Sequence, residues 1–353
     1  MTSADTPDFW NQELPTLDTG AMDRARRHQD SLTKPPGSLG RLETAAIQIC
    51  GQQNTDEPAV DRIHITIFGA DHGVCVEGIS AFPQVVTGQM IANFANDGAA
   101  ISILAHSLGA HLEVINLGTA SPLGPLTGVR DESIGPGTGN IAEEPAMTRD
   151  QLEKALASGR QAAQRAADSN AQLFIGGDMG IGNTTTAGAV GCILLGAPPE
   201  RLAGHGTGLD IAGVSHKAAI IRRALRRHGD DSDPLAILAS LGGFEIAALA
   251  GAFIGCAQKR IPVLVDGFIV SVAALAAVRL NPGLRDWLHF AHHSGEHGHG
   301  RVLEALHARP LLDLDMRLGE ASGAALAAPL LRAACELHTR MASFSDAGVS
   351  DGK

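Results

Sequence analysis

Five short apolar runs alternate with helical patterns along most of this chain, and this alternation is the strongest constraint on its fold. Hydrophobicity within each run is nearly continuous, which is typical of strands covered on both faces, as in parallel sheets. Parallel strands need crossover connections, and helices provide them. The sequence therefore predicts an α/β fold with a doubly wound, mostly parallel sheet. The predicted strands are 62–69, 111–118, 171–177, 261–267 and 287–293.

Helices are predicted between these runs, at 83–106, 148–170, 214–227 and 267–278. The two chain ends differ from the middle, because 16–52 is typical of a helix, a turn and a second helix, and 321–343 of one Ala/Leu-rich helix. We expect a large α/β domain at 54–310, and a small helical subdomain from 1–53 and 311–353 that includes a C-terminal catalytic segment. The Gly/Pro-rich stretch 121–145 is predicted to be a long loop, and such loops are often functional.

Charge and composition argue against a nucleic-acid partner. The chain has 38 acidic and 27 basic side chains, a formal net charge of −11, and only 3% aromatic residues. A polyanion requires a basic stripe, and single strands require stacking surfaces. The one basic group, formed by Arg222, Arg223, Arg226 and Arg227, is better interpreted as a solvated helix face.

The apolar stretches, the cysteines and the N-terminal residues favour a cytoplasmic protein with reduced thiols and no membrane span. The apolar stretch 235–257 has nearly the length that a bilayer requires, but it is interrupted at Gly242–Gly243 and carries Glu245, so a buried helix beginning near Phe244 is predicted. The five cysteines are odd in number and widely spaced, which fits reduced thiols. No leader peptide is predicted at 1–10, which is acidic and polar.

Candidate ligand loops follow the predicted strands, because ligands of open parallel sheets bind beyond the carboxyl ends of the strands. The 176–186 loop leads from a strand into a helix, whose first amides can hold an anion, but it matches neither a Walker A loop nor G-x-G-x-x-G. The 204–210 turn precedes a helix bearing Lys217 and is a second candidate, and 135–140 is a third. Taken alone, each is better explained by turn formation.

A histidine-rich segment and an acidic segment near the C-terminal end carry further candidates. His293–His297 matches H-x-x-E-H, but that zinc motif requires a helix, and Ser294–Gly295 interrupts one. A Gly-rich site loop is therefore favoured over a metal site. Glu320 stands at the start of a predicted helix, where it either favours the helix dipole or acts as a general base in a cleft; spacing leaves both open.

Taken together, these segments resemble the nicotinate-nucleotide–dimethylbenzimidazole phosphoribosyltransferase family of cobalamin lower-ligand synthesis. The matching stretches follow the family order over almost the whole chain, and the set is far more specific than any one member. They are 32–43, 69–74, 82–87, 137–140, 177–186, 206–209, 242–246, 265–268 and 318–323.

The resemblance implies a homodimeric enzyme that acts on two small molecules, nicotinate mononucleotide and a benzimidazole base, without a cofactor or metal. It implies that Glu320 is the catalytic base and gives Asp178 a secondary catalytic role; many members carry Glu there. Phe82, Met90 and Met179 match the segments that line the base pocket, while the Gly206–Gly208 turn and Lys217 match the phosphate end. The full set of implied substrate-binding residues is Phe82, Met90, Gly177, Met179, Asn183, Thr184, Gly206, Thr207, Gly208, Lys217, Asp266 and Leu318.

Three alternatives stay open at this point. A phosphoribosyltransferase that uses a diphosphate sugar is distantly suggested by 263–267, although the usual acidic pair and phosphate turn are missing. A nucleotide-binding regulatory module would keep the pocket without catalysis. A metallohydrolase would use the H-x-x-E-H segment.

Overall fold

A computed structural model describes residues 8–350 and contains a six-stranded parallel sheet of order β3-β2-β1-β4-β5-β6. The first strand lies inside the sheet, the chain adds two strands on one side of it, and then it returns to add three on the other. This order confirms the predicted doubly wound fold. The strands are β1 (Ile63–Ala70), β2 (His111–Gly118), β3 (Val129–Asp131), β4 (Leu173–Met179), β5 (Val263–Val265), β6 (Leu288–Phe290), β7 (His292–His293) and β8 (Leu312–Asp313), the last two forming a separate parallel pair.

Helices cover both faces of the sheet, and all four predicted crossover regions are helical. The capping box at Thr148 and Gln151 is present. The helices are α1 (Thr19–Ser31), α2 (Arg41–Gln53), α3 (Val86–Ala95), α4 (Ala100–Leu108), α5 (Arg149–Asp168), α6 (Asn183–Leu195), α7 (Ile211–His228), α8 (Pro234–Leu241), α9 (Phe244–Gln258), α10 (Phe268–Leu280), α11 (His299–Ala305), α12 (Ser322–Arg340) and α13 (Phe344–Ala347).

Three sequence predictions were wrong in detail. The helix at 83–106 is two helices, because Asp97 adopts a left-handed φ of 58° next to Gly98 and ends the first one. The strand at 287–293 ends at Phe290, and the chain then pairs with β8 instead of the main sheet. The 121–145 loop contains the edge strand β3. A continuous apolar pattern does not show where a strand changes its partner.

The apolar stretch at 235–257 forms two helices, α8 and α9, separated at Gly242–Gly243 as predicted. Helix α9 is buried along nearly its whole length between α5 and the sheet. Gly159 and Gly251 allow this close approach: a Cβ on Gly251 would lie 2.9 Å from the Cα of Leu156. Within residues 8–350, no helix has the length and apolar character needed to cross a membrane.

The two chain ends meet on one face of the sheet. Helix α12 packs against α2 and α4 and covers the side chains of Ile65 and Ile67. The backbone N–H of Thr33 donates to the carbonyl of Ala342 (3.0 Å). By contrast, Phe9 and Trp10 pack into the core on the other face. The division into 54–310 and the two terminal segments stays a prediction, and residues 1–7 and 351–353 of those segments lie outside the described part of the chain.

Glu113 on β2 is a buried carboxylate held by cations from neighbouring elements. Its Oε1 lies 2.5 Å from the Arg165 Nε and 3.2 Å from the Arg130 Nε. Burial alone would raise the pKa of Glu113, but hydrogen bonds from His64 and Arg165 bring it down to about 2. The folded-state value lies below the ordinary 4.5, so this group stabilises the fold above about pH 4.5 and ceases to do so as the pH falls towards 2.

We predict that Arg165→Met lowers the free energy of unfolding by about 3 kcal/mol at pH 7, because the buried carboxylate of Glu113 then loses its nearest cation. The loss should shrink as the pH is lowered below 4.5. Urea denaturation at pH 7 and pH 4 measures both. Lys154→Met on the same helix is the control, since its exposed ion pair with Asp150 contributes little. Equal losses in the two variants would contradict the prediction.

Candidate active site

A cavity of about 410 Å³ opens at the carboxyl ends of β4 and β5, beside the point where the strand order reverses. In doubly wound folds this reversal separates the loops that follow adjacent strands and leaves a crevice between them. The loop after β4, the Asp266–Gly267 turn after β5 and the segment after β7 all contribute to the wall. The volume is in the range of small-molecule sites.

Glu320 reaches this cavity from a strained turn. Gly319, Glu320 and Ala321 all have left-handed φ angles, of 82°, 60° and 61°, and the Ser322 hydroxyl closes the turn by donating to the carbonyl of Gly319 (2.7 Å). For residues with a Cβ this conformation costs of order 1–3 kcal/mol each, and such strain is concentrated at functional sites. The turn places a nearly buried carboxylate in the wall immediately before α12.

Four carboxyl side chains line the cavity, and three of them, those of Asp178, Asp266 and Glu320, influence one another's ionisation. Burial and the charge of Asp266 raise the pKa of Glu320 to about 7. Burial, followed by the charges of Asp266, Glu245 and Glu320, raises the pKa of Asp178 well above its ordinary range. The site thus combines a carboxyl group that ionises near neutrality with a second one whose pKa is also raised, an arrangement that can separate base and acid roles.

The Asp178 and Asp266 carboxyl groups are fixed by hydrogen bonds. The Asn183 side-chain amide donates to Oδ2 of Asp178 (2.8 Å), and the backbone N–H of Ala324 donates to Oδ1 of Asp266 (2.7 Å). The Nε2 atom of His292 lies 3.6 Å from that same Oδ1. Asp266 thereby ties the end of β5 to the first turn of α12, next to Glu320.

One end of the cavity suits an anion. The buried Nζ of Lys217 donates to the Thr184 hydroxyl (3.1 Å) and to the carbonyl of Gly204 (3.2 Å). Burial lowers the pKa of Lys217 to about 8, although the charge of Glu296 works in the opposite direction. The first amides of α6 and the Gly206 turn lie here too, and Arg317 Nη1 donates to the carbonyl of Gly206 (3.2 Å). Helix N-termini with a nearby cation bind phosphate groups.

The other end is apolar. Phe82, Val86 and Met90 line it together with Met179 and Leu318. Phe82 and Leu318 are 52% and 56% exposed. Large apolar residues that are exposed together at the opening of a cavity indicate a binding surface. This wall is suited to a flat, apolar ring.

Comparison with known proteins decides the family. A phosphoribosyltransferase family model matches residues 14–349. A nicotinate-nucleotide–dimethylbenzimidazole phosphoribosyltransferase of Pseudomonas putida is 59% identical over 347 residues, covering 98% of this chain and 99% of the relative. One from Xanthomonas oryzae is also 59% identical, over 93% and 94%. This chain belongs to the nicotinate-nucleotide–dimethylbenzimidazole phosphoribosyltransferase family. It is an enzyme that transfers a ribosyl phosphate group.

The fold of this phosphoribosyltransferase agrees with that of a relative of known structure. The crystal structure of the protein of that name from Thermus thermophilus superposes with a TM-score of 0.91 at 44% identity, covering 95% of this chain and all of the relative.

The structure brings most of the predicted site residues of the enzyme together, although their individual roles stay predictions. Those that line the cavity are Phe82, Met90, Asp178, Met179, Asn183, Thr184, Gly206, Thr207, Asp266, Leu318 and Glu320. Lys217 lies behind Thr184, one hydrogen bond from the wall. Gly208 turns the loop with a φ of 121°. The Thr207 hydroxyl hydrogen-bonds with the Ser80 hydroxyl (3.1 Å) and accepts from the Ala81 N–H (3.2 Å), so it ties two rim loops together.

Other residues of the enzyme's cavity were given no role by sequence reasoning. His292, Ser294 and Glu296 line the wall; the sequence favoured a Gly-rich site loop over a metal site for their segment but assigned these residues no function. That segment is a short strand and a turn, so the helix that the motif needs is absent there. Within residues 8–350, no three His, Cys, Asp or Glu side chains are grouped to hold a metal ion.

A second unpredicted feature is a buried pair below the cavity. The Nε2 of His72 lies 2.9 Å from Oε1 of Glu245, and both side chains are fully buried. His72 supports the loop after β4, because a Cβ on Gly180 would lie 3.0 Å from this Nε2. The two residues are far apart in sequence; they lie in the family-like stretches 69–74 and 242–246, but no pairing between them was predicted.

We predict that Gly177→Ala lowers kcat by about 100-fold, because a Cβ there would lie 2.8 Å from the Cβ and 2.9 Å from the backbone N of Ala321 and would displace the turn that carries Glu320. Steady-state kinetics and thermal melting measure the effect. Gly124→Ala is the control, since its added Cβ meets nothing within 4 Å. A wild-type kcat in Gly177→Ala would show that the position of this turn does not control catalysis.

Proposed function

We propose that this enzyme transfers the phosphoribosyl group of nicotinate mononucleotide to 5,6-dimethylbenzimidazole or a related base, giving α-ribazole 5'-phosphate and nicotinate for the nucleotide loop of cobalamin. The observation that carries the proposal is the place of Glu320. One short segment supplies Arg317, which hydrogen-bonds to Gly206, together with Leu318 and Glu320 to the wall of a single cavity. The names of the relatives specify the two substrates.

The departing group makes few demands on the site. In nicotinate mononucleotide the ribose is joined to a positively charged pyridine nitrogen, and breaking that bond releases a neutral ring. The electron pair of the C–N bond goes to that nitrogen, so no acid is needed to protonate it. The enzyme must instead align the two rings and supply a base.

The incoming base is activated by proton removal. One benzimidazole nitrogen attacks the anomeric carbon, and the N–H on the other nitrogen becomes acidic as the ring gains positive charge. Glu320 accepts this proton, and its raised pKa of about 7 makes it a better proton acceptor than an ordinary carboxylate. Attack from the face opposite the leaving ring inverts the β-nucleotide to an α-riboside. Burial and the charges of Asp266, Glu245 and Glu320 raise the pKa of Asp178, which limits the negative charge beside Glu320.

The proposal is tested by incubating the purified enzyme with nicotinate mononucleotide and 5,6-dimethylbenzimidazole and following products by mass spectrometry. The expected products are α-ribazole 5'-phosphate and nicotinate in equal amounts. If neither product forms and a diphosphate sugar serves as donor instead, the alternative transferase is favoured.

We also propose, from the family resemblance alone, that the enzyme is a cytoplasmic homodimer. Light scattering of the purified protein tests the oligomeric state.

We predict that Glu320→Gln lowers kcat by about 10² to 10⁴ with little change in KM for the nucleotide, because the amide fills the same space but accepts no proton. In the wild type, kcat/KM should rise as the pH passes upward through about 7, where the Glu320 carboxyl ionises, and the variant should lose this rise. Steady-state rates from pH 5 to 9 measure both. Glu336→Gln, on an exposed part of α12, is the control. A near-wild-type kcat in Glu320→Gln would reject it as the base.

We predict that Lys217→Met raises KM for the nucleotide by about 10- to 100-fold and leaves KM for the benzimidazole unchanged, since a charged hydrogen bond is lost at the phosphate end. In the wild type, KM for the nucleotide should rise above about pH 8 as the ammonium group loses its proton. Kinetics with each substrate varied in turn measure this. Arg226→Met on the same helix controls for charge. An unchanged nucleotide KM would remove Lys217 from the phosphate site.

A further inference from the structure

The loop between β7 and α11 forms a wall of the cavity and is held from two sides. Ser294 and Glu296 face the cavity from this loop. On one side, the Gly295 N–H donates to the carbonyl of Met316 (2.9 Å), which precedes Arg317. On the other, the Ser294 N–H donates to Nδ1 of His299 (2.8 Å). The loop has no regular secondary structure of its own, so these two contacts fix its course.

The hydrogen bonds of His299 define its protonation. Nδ1 accepts the N–H of Ser294 and therefore carries no proton. Nε2 lies 2.9 Å from the Ser271 hydroxyl oxygen and donates to it. The side chain is fully buried, and burial, followed by the charges of His292 and His293, lowers the pKa of His299 to about 3. The ring is thus neutral, with its single proton on Nε2.

This arrangement excludes two other roles for His299. A general base for the Ser271 hydroxyl would need an unprotonated Nε2 and an open path to substrate, and His299 has neither. A metal ligand would need a free ring nitrogen, and both nitrogens are engaged. Its role is therefore to hold the loop.

Ser294 and Glu296 lie towards the anion end of the cavity. The Glu296 carboxylate lies against Gly204, whose carbonyl accepts from Lys217, and its charge acts on that ammonium group. The Ser294 side chain lies beside Gly267, at the first turn of α10. Neither residue belongs to the apolar wall formed by Phe82 and Met90.

We propose that His299 is a positioning residue for the donor nucleotide: as a neutral imidazole with its proton on Nε2, it holds the Ser294–Glu296 loop so that Ser294 and Glu296 contact the ribose phosphate half of the donor. The inference rests on the proposed function, because it assigns the anion end to nicotinate mononucleotide. It adds to that function the residue that fixes the loop, His299, and the protonation state in which His299 fixes it.

The test compares two substitutions in the whole enzyme. His299→Asn places an amide oxygen near the position of Nδ1 and keeps an acceptor for the Ser294 N–H, whereas His299→Leu removes the acceptor. We expect His299→Leu to raise KM for nicotinate mononucleotide about tenfold, the effect of one buried hydrogen bond, with KM for the benzimidazole unchanged. His299→Asn should restore most of the donor KM. His293→Asn, in the same segment but outside the cavity wall, is the control.

Equal rises in both KM values, or no rescue by His299→Asn, would overturn the proposal. If wild-type enzyme forms no riboside phosphate, the proposed function fails instead, and the protonation of His299 is still tested separately. Long-range ¹H–¹⁵N spectra of histidine-labelled enzyme, assigned through His299→Asn, should show a protonated Nε2 and an unprotonated Nδ1 at pH 7 and at pH 5. A proton on Nδ1 at either pH would overturn the proposal even if His299→Leu does not fold.

Discussion

Repulsion among the carboxyl groups of one cavity is the constraint on which this site depends. Asp178, Asp266 and Glu320 lie in a largely buried space where they cannot all be ionised, and the imidazole of His292 faces Asp266. Asp266 receives the backbone N–H of Ala324 as well; burial raises its pKa, while His292 and this hydrogen bond act in the opposite direction and favour its charged form. Its charge then raises the pKa of Glu320, which thereby becomes a base suited to neutral pH.

The fold supports this arrangement with buried contacts that do not themselves touch a substrate. The strand order places the loops after β1 and β4 on either side of a crevice, and His72 and Glu245 support the second loop from below. Gly177 leaves room for the turn of Glu320, and His299 holds the opposite wall. Each wall of the cavity is thus fixed by a residue in the layer behind it, which is how a site keeps its geometry.

The sequence predicted the sheet and most of the cavity wall because both follow from local patterns. Continuous apolar runs marked the strands, and the rule that ligands bind beyond carboxyl ends pointed to Asp178 and Asp266. The pairing of His72 with Glu245 and the hydrogen bond from Ser294 to His299 depend on tertiary proximity, which no local pattern encodes. The left-handed conformation of Glu320 was also hidden, because a residue that disfavours this conformation adopts it in a turn whose next residue, Ala321, packs against Gly177.

The late position of Glu320 along the chain has a consequence for synthesis on the ribosome. All six strands of the main sheet precede it, and the Gly319–Ala321 turn that holds it leads directly into α12, which packs on the sheet. A prematurely terminated chain that ends before Gly319 therefore has much of the pocket wall but lacks the proposed proton acceptor. On the proposed function, such incomplete translation products are catalytically silent.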